Sequence, residues 1–165
     1  MADAMTAERW RQVTELFDAL IDVPAVVVEE GADRNGATEP RALERLGPDS
    51  AVHSKPTFSL TGCDAAVEAV RATRRSTVVL VGFETDVCVA QSAVGLHDLG
   101  LRAVLVEDAT YSTGDQHRRG LARITHAGVE YSHCKGLVFE WLHTVEYATE
   151  TFSVAVERFG PFPLR

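Results

Sequence analysis

One cysteine lies where a buried strand is expected to turn into a helix. Residues 78–88 read VVLVGFETDVC, a short apolar run rich in β-branched residues that ends at Gly82. Such a run is typical of a strand buried on both faces. The pattern over 86–99 is helical, and Gly100 ends it. Cys88 is therefore expected in the first turn of a helix, where free backbone N–H groups and the helix dipole stabilise a nucleophilic thiolate.

The alternative for Cys88 is a structural role, because a lone cysteine in an apolar helix is most often a small buried hydrophobe. The elements around it help to decide between the two. Helix and strand patterns alternate along the chain, which predicts βαβ units and a mainly parallel sheet with helices on both faces. We therefore expect a three-layer α/β/α sandwich, formed by residues 1–165 as a single domain. In such sheets, sites form at the carboxyl ends of the strands, and residues 82–88 occupy one of those ends.

The expected elements follow from hydrophobic periodicity and from glycine positions. Asp115 is the expected N-cap of one helix, and Gly128 its end. The predicted strands are 25–29, 50–54, 77–82, 102–107 and 129–133, the predicted helices are 7–21, 64–74, 86–99, 115–127 and 136–158, and 31–40 is predicted to be loop.

Composition excludes several classes of function. The chain has 165 residues, 45% of them hydrophobic, and a net charge of −8, which argues against nucleic-acid and anionic-membrane partners. No run approaches the length of a transmembrane helix, and the start lacks a signal-peptide pattern. The odd set of three cysteines argues against a disulfide framework and favours a cytoplasmic location. The histidines lack the paired spacing of a zinc site, so we expect no metal and no cofactor; they are His53, His97, His117, His126, His133 and His143.

Three segments resemble the isochorismatase-like cysteine hydrolase superfamily, in its isochorismatase-domain-containing branch. The most specific is GFETDVCVAQSAVGLHDLGLRAVLVEDATYS at 82–112, which matches the family pattern Gly-x-x-Thr-x-x-Cys-Val, a helix, a strand and Asp-Ala. KPTFS at 55–59 and THAGVEYSHCKGLVFEWL at 125–142 are the other two.

The resemblance implies a catalytic site of known parts. It implies Cys88 as the nucleophile and Lys55 as the cation that favours its thiolate, although a solvated surface lysine is the alternative for Lys55. It also implies an oxyanion hole from the backbone N–H groups of Glu84 and Cys88, and a cis peptide at Phe83–Glu84.

The family's third catalytic residue, an aspartate on a first strand, has no counterpart in this chain. Glu29 and Glu30, at the end of a predicted strand, are possible substitutes for this base, but solvated loop carboxylates are the favoured alternative. A central strand would be missing with the aspartate, leaving two strands without a neighbour. A late start of the sequence, completion by another subunit and a natural loss of the base are the three explanations.

The resemblance thus implies a hydrolase of a small amide or related molecule that acts through a cysteine nucleophile, and without the aspartate we expect its catalysis to be weak. The alternative is a non-catalytic member that binds a small ligand or another protein. The partners expected are a small-molecule substrate and further copies of the chain, because a sheet without its central strand should not leave long bare edges in water. The helices at 86–99 or 136–158 are the expected interface, with an apolar surface formed by Val138, Phe139, Trp141 and Leu142.

Overall fold

The computed structural model describes residues 23–46 and 51–159. Five strands and seven helices follow one another in these ranges, with a 3₁₀ turn at Leu60–Gly62 and a π-helical turn at Thr85–Val89. The strands are β1 (Val27–Glu30), β2 (Val52–Lys55), β3 (Thr77–Phe83), β4 (Arg102–Tyr111) and β5 (Glu130–Ser132). The helices are α1 (Ala32–Asn35), α2 (Pro40–Leu46), α3 (Asp64–Ala72), α4 (Ala90–Asp98), α5 (Gln116–His126), α6 (Cys134–Leu142) and α7 (Val145–Phe159).

Helices cover both faces of the strands, which confirms the predicted three-layer α/β architecture. The alternation of side chains along β3 divides its apolar run between two cores. Val78 and Leu80 pack with α3, α4 and α5 on one face, around the fully buried Leu96 and Ile124. Val79 and Val81, which alternate with them along the strand, pack with α6 and α7 on the other face. An apolar run without polar positions is therefore what this strand requires.

Every strand pairing in the described residues is parallel, as predicted, but the strands form two sheets. One has the order β1-β2 and the other β3-β4-β5. Val26 and Val28, in and beside β1, pack against the same core as Val78 and Leu80 of β3. The two sheets therefore share one helical layer, although β1 and β3 have no ladder between them in this part of the chain. Each of these two strands is paired on one side only within the described residues.

Several predicted boundaries are wrong. The segment 31–40 is not all loop, because Gly31 in the left-handed region starts the single turn α1 and Pro40 opens α2, a position where its fixed φ suits a helix. The predicted helix at 136–158 is two helices, because the chain turns at His143, which has a φ of 56°. β4 continues to Tyr111 rather than ending at 107.

Two further predictions concern the side chain of Asp115 and residues outside the described ranges. Asp115 occupies the predicted N-cap position of α5, but its side chain does not cap the helix, because its own backbone is helical and its carboxylate binds Arg118 and Arg119 instead. The hydrogen bonds from these two arginines lower the pKa of Asp115 below its ordinary value. The predicted helix at 7–21 lies outside the described residues, and so does residue 50 at the start of the predicted strand 50–54.

Candidate active site

The cysteine-bearing turn begins with a distortion at the end of β3. The register between β3 and β4 shifts between Leu80 and Gly82, and Gly82 has a φ of 118°, which favours glycine. The peptide bond Phe83–Glu84, one residue further along, is cis, at the bond where the resemblance places one. Bulges and unusual backbone near a strand end are devices that redirect the chain next to active sites. Here they direct the chain out of the sheet and into the helix that carries Cys88.

Cys88 lies in a π-helical turn rather than in the regular first turn of α4. The N–H groups of Val87 and Val89 donate to the Glu84 carbonyl at 3.3 and 3.0 Å, and the N–H of Cys88 is not a donor to that carbonyl. Single π-helical turns occur often at functional sites because the wider turn changes which backbone groups are paired. The thiol is partly exposed. A partly exposed thiol beside helix-start amides is the arrangement that a cysteine nucleophile needs.

Lys55 is buried, unlike a solvated surface lysine. It ends β2 with 4% of its surface exposed, and its ammonium donates to the carbonyls of Thr57 and Phe58 at 3.0 and 2.9 Å. No carboxylate of the described chain lies within ion-pair distance of this ammonium. Buried charges are costly and are normally paired or used. A buried ammonium with only carbonyl partners is therefore available to stabilise a nearby anion.

The loop after Lys55 is bound to the helix after Cys88. The Ser59 hydroxyl donates to the Gln91 carbonyl at 3.2 Å, and the Leu60 N–H donates to the Ser92 hydroxyl at 2.9 Å. Gln91 lies one helical turn beyond Cys88. These contacts join the carboxyl end of β2 to the helix that follows β3, so the segments carrying the two predicted catalytic side chains belong to one local assembly.

The two carboxylates predicted as possible replacements for the family's aspartate differ in their contacts. Thr38 donates two hydrogen bonds to one carboxylate oxygen of Glu29: its N–H and its hydroxyl each lie 2.9 Å from Oε2. Glu29 therefore holds the loop after α1. Glu30 is the last residue of β1 and stands in register with Lys55. It is half-buried and at the same end of the strands as Lys55, so of the two it is the better placed for chemistry.

Two contacts of the cysteine turn were not predicted from the sequence. The Thr85 hydroxyl lies 2.8 Å from Nδ1 of His117 at the start of α5. The Ser112 hydroxyl donates to the Asp86 carboxylate at 2.6 Å and accepts from the Asp86 N–H at 3.3 Å. Thr85 is the threonine of the Gly-x-x-Thr-x-x-Cys pattern, and this pattern was the one signal that pointed to it.

Other parts of the described chain contribute little to a site. The described residues hold no cluster of three or more His, Cys, Asp or Glu side chains that could bind a metal. Asp108 accepts a hydrogen bond from the Cys134 N–H at 2.7 Å, a structural contact that joins β4 to α6. A shallow depression of about 310 Å³ is lined by His97, Arg102 and Glu130. It lies at the amino ends of β4 and β5, the edge opposite Cys88.

Comparison with known proteins gives the family. The isochorismatase domain matches residues 12–133. The chain belongs to the isochorismatase family. It is 33% identical over 123 residues to isochorismatase domain-containing protein 2 of Bos taurus, covering 73% of this chain and 58% of the relative. It is 30% identical over 125 residues to the secreted isochorismatase effector Isc1 of Phytophthora sojae, covering 73% and 60%. The chain thus spans about three fifths of the length of these relatives.

Solved structures with this fold include proteins of several descriptions. The YcaC gene product of Escherichia coli, an octameric hydrolase of unknown specificity, has a TM-score of 0.81 at 20% identity, over 91% of this chain and 76% of that one. YcaC of Pseudomonas aeruginosa, solved with hexane-2,5-diol and covalent acrylamide, has a TM-score of 0.81 at 20% identity, over 96% and 84%. The nicotinamidase/pyrazinamidase PncA of Bacillus subtilis has a TM-score of 0.61 at 16% identity, over 81% and 87%. At these identities the likeness shows a common fold.

The cellular location of the protein and the extent of its domain remain predictions. No helix in the described ranges is long and apolar enough to cross a membrane. One relative is secreted by its name, and the predicted cytoplasmic location is untested. The single domain over 1–165 is likewise a prediction.

Proposed function

We propose that the chain is an isochorismatase-family hydrolase that cleaves a small amide or a related molecule through Cys88. The buried ammonium of Lys55, joined through its loop to the helix of Cys88, is the observation that carries the proposal. Stabilisation of the Cys88 thiolate would explain why the Lys55 ammonium is buried without an acidic partner in the described residues. The hydrolases and nicotinamidase that share the fold support the same class of reaction.

The reaction would proceed in two steps. The Cys88 thiolate attacks the carbonyl carbon, and the N–H groups of Glu84 and Cys88 stabilise the tetrahedral oxyanion. The C–N bond breaks, the departing nitrogen takes up through solvent the proton that Cys88 lost on forming the thiolate, and a thioester remains on Cys88. Water then adds to the thioester carbonyl, the C–S bond breaks, and the acid is released. The second step needs a base, and Glu30 is the carboxylate that we assign to it, because Thr38 occupies Glu29.

The first test is the replacement of Lys55 by methionine, which keeps most of the side chain and removes the charge. We expect iodoacetamide to alkylate Cys88 about tenfold more slowly in Lys55→Met, because the thiolate loses its cation. Stability should change little, because the Thr57 and Phe58 carbonyls lose their donor while the cost of burying an ammonium without a carboxylate partner in the described chain is removed. Residue-resolved mass spectrometry measures the alkylation, and thermal unfolding measures the stability. An unchanged alkylation rate together with lower stability would make Lys55 a structural residue and remove the main support for the hydrolase.

We also propose that the chain forms a homo-oligomer, as an octameric neighbour of the same fold does. The predicted interface needs correction, because Val138 and Leu142 are each only 1% exposed and serve the core. The exposed apolar side chains on and beside α7 are the better candidates; they are Phe139, Val145, Tyr147, Val154 and Val156. The one-sided pairing of β1 and β3 within the described residues also favours association, because open strand edges attract further strands.

Light scattering after size exclusion, at micromolar concentration, tests the oligomer. We expect a mass that is a multiple of the chain mass, and we expect Val154→Glu to shift it towards the monomer by placing a charge in an apolar contact. Ser153→Glu is the matched control, since Ser153 is exposed and its hydroxyl binds the Thr149 carbonyl of its own helix. A monomer in the unmodified chain would refute the oligomer, and equal effects of the two variants would refute this interface.

A further inference from the structure

Two consecutive residues of the π-helical turn that carries Cys88 are hydrogen-bonded to side chains from other elements. The fully buried Thr85 is bound by His117 of α5, and Asp86 is bound by Ser112 just after β4. We infer that His117 is a positioning residue, which fixes the turn carrying Cys88 through its hydrogen bond to Thr85. The inference rests on the proposed role of Cys88 as the nucleophile. The sequence alone gave His117 no role, because it was one of six histidines without the spacing of a zinc site.

The Thr85 hydroxyl has no second hydrogen bond within the described chain. Its surface is 0% exposed, so water does not replace the histidine contact. If Nδ1 of His117 accepts, the hydroxyl proton is satisfied; if Nδ1 donates, the proton of the buried hydroxyl has no acceptor. Buried donors are almost always satisfied, so the geometry assigns the accepting role to Nδ1 and the ring proton to Nε2. Removal of the ring would leave the hydroxyl unpaired next to the nucleophile.

The helix that carries His117 is in close contact with the backbone of the turn. A Cβ atom at Gly120 would lie 2.8 Å from both the Cα and the N atom of Asp86. Glycine is therefore what lets α5 approach the turn without an intervening side chain. At this distance the position of α5 and the position of the turn are coupled, and the hydrogen bond from Thr85 to His117 fixes one relative to the other.

A purely structural role for His117 fits the surroundings poorly. The ring is only half-buried, and the next two residues, Arg118 and Arg119, are exposed and paired with Asp115. The one side-chain hydrogen bond of His117 in the described residues is the bond with Thr85. Its influence on the protein therefore passes through the turn, three residues from Cys88.

The test compares His117→Leu with His117→Asn in the full chain, with Thr85→Val and the double variant completing a cycle. The Asn side-chain oxygen can occupy the place of Nδ1, whereas Leu keeps bulk without an acceptor. The readout is the rate of Cys88 alkylation by iodoacetamide, with Cys63 in the same sample as the internal reference. We expect about a tenfold slower reaction in His117→Leu, because small displacements of a reacting group have large effects on rate. His117→Asn should restore the rate to within about threefold of the unmodified chain.

Thr85→Val should react as slowly as His117→Leu, and the double variant should be no slower than either, since both remove the same bond. An unchanged or faster rate in His117→Leu, or equal rates in the Leu and Asn variants, overturns the inference. If Thr85→Val does not fold, the His117 pair decides alone, because that ring is half-exposed. Ester and amide cleavage by the same samples separates the two proposals. If the variants show the expected alkylation rates but the unmodified chain cleaves neither esters nor amides, the positioning role of His117 is supported and the proposed hydrolase activity is refuted.

Discussion

Replacement of Cys88 by alanine is expected to abolish acyl transfer from an activated ester, with a loss of about 10³-fold or more in the rate of ester cleavage. In the unmodified chain, incubation with p-nitrophenyl acetate should add one acetyl group, and peptide mapping should locate it on Cys88. The physical reason is the position of the thiol in the π-helical turn at the start of α4, joined to the segment that holds Lys55. Intact-mass spectrometry and nitrophenol release measure the two quantities.

Cys63 provides a matched control for this experiment. Cys63 and Cys88 are both partly exposed, while Cys134 is buried. Access alone therefore does not favour Cys88 over Cys63, and a preference for Cys88 would report its chemical environment. Cys63→Ala should leave acetylation and ester cleavage unchanged. Acetylation spread over Cys63 and Cys88, or an equal loss in both variants, would contradict the assignment of the nucleophile and favour the non-catalytic alternative.

The parts of the site that lie within one strand and its following turn could be predicted from the sequence. The apolar run of β3, the glycine that ends it and the helical pattern after it placed Cys88 at the carboxyl end of a buried strand. The structure has that arrangement, with Gly82 at a φ of 118°. Local propensity and hydrophobic period determine such features, so a short window of sequence contains the information.

Features that depend on packing between distant segments could not be predicted. His117 meets Thr85, and Ser112 meets Asp86, only because α5 and β4 close on the turn, over separations of 32 and 26 residues. The burial of Lys55 likewise depends on the loop after β2 and its contacts with α4. The polar types of these residues fit exposed positions equally well, and their spacing says nothing about their partners.

The strand arrangement shows the same limit. The alternation of elements predicted parallel pairing, which the structure has, but the division into β1-β2 and β3-β4-β5 follows from which edges meet in space. Val79 and Leu80 of β3 are half-buried, whereas Val104 and Leu105 of β4, which pair with both β3 and β5, are buried. The apolar runs of β3 and β4 look alike in the sequence but are buried to different extents. The reason is that a paired strand on each side excludes solvent, in addition to the helices packed on the faces of the sheet.

The replacement of Glu30 by glutamine is expected to slow the hydrolysis of the acyl-enzyme by about 10²-fold, within the usual contribution of a general base. Acylation of Cys88 should change less, because Lys55 and the helix start can hold the thiolate without a base. Deacylation differs, since water is a poor nucleophile until a carboxylate accepts its proton. Glu30 is the carboxylate that ends β1 in register with Lys55. The acetylated protein, freed from excess ester by rapid desalting, should therefore lose its acetyl group much more slowly in Glu30→Gln.

Glu29→Gln is the matched control for the decay experiment, because Glu29 precedes Glu30 in the same strand but is engaged by Thr38. Its substitution should weaken the loop after α1, lowering thermal stability slightly, and leave the decay of the acetyl group near that of the unmodified chain. Mass spectrometry at timed intervals measures both decays. Equal decay in Glu30→Gln and in the unmodified chain would show that no base from β1 activates water. A stable acetyl group in the unmodified chain as well would mean that Cys88 accepts an acyl group without turnover, because the site within these residues lacks a group to remove the proton from water.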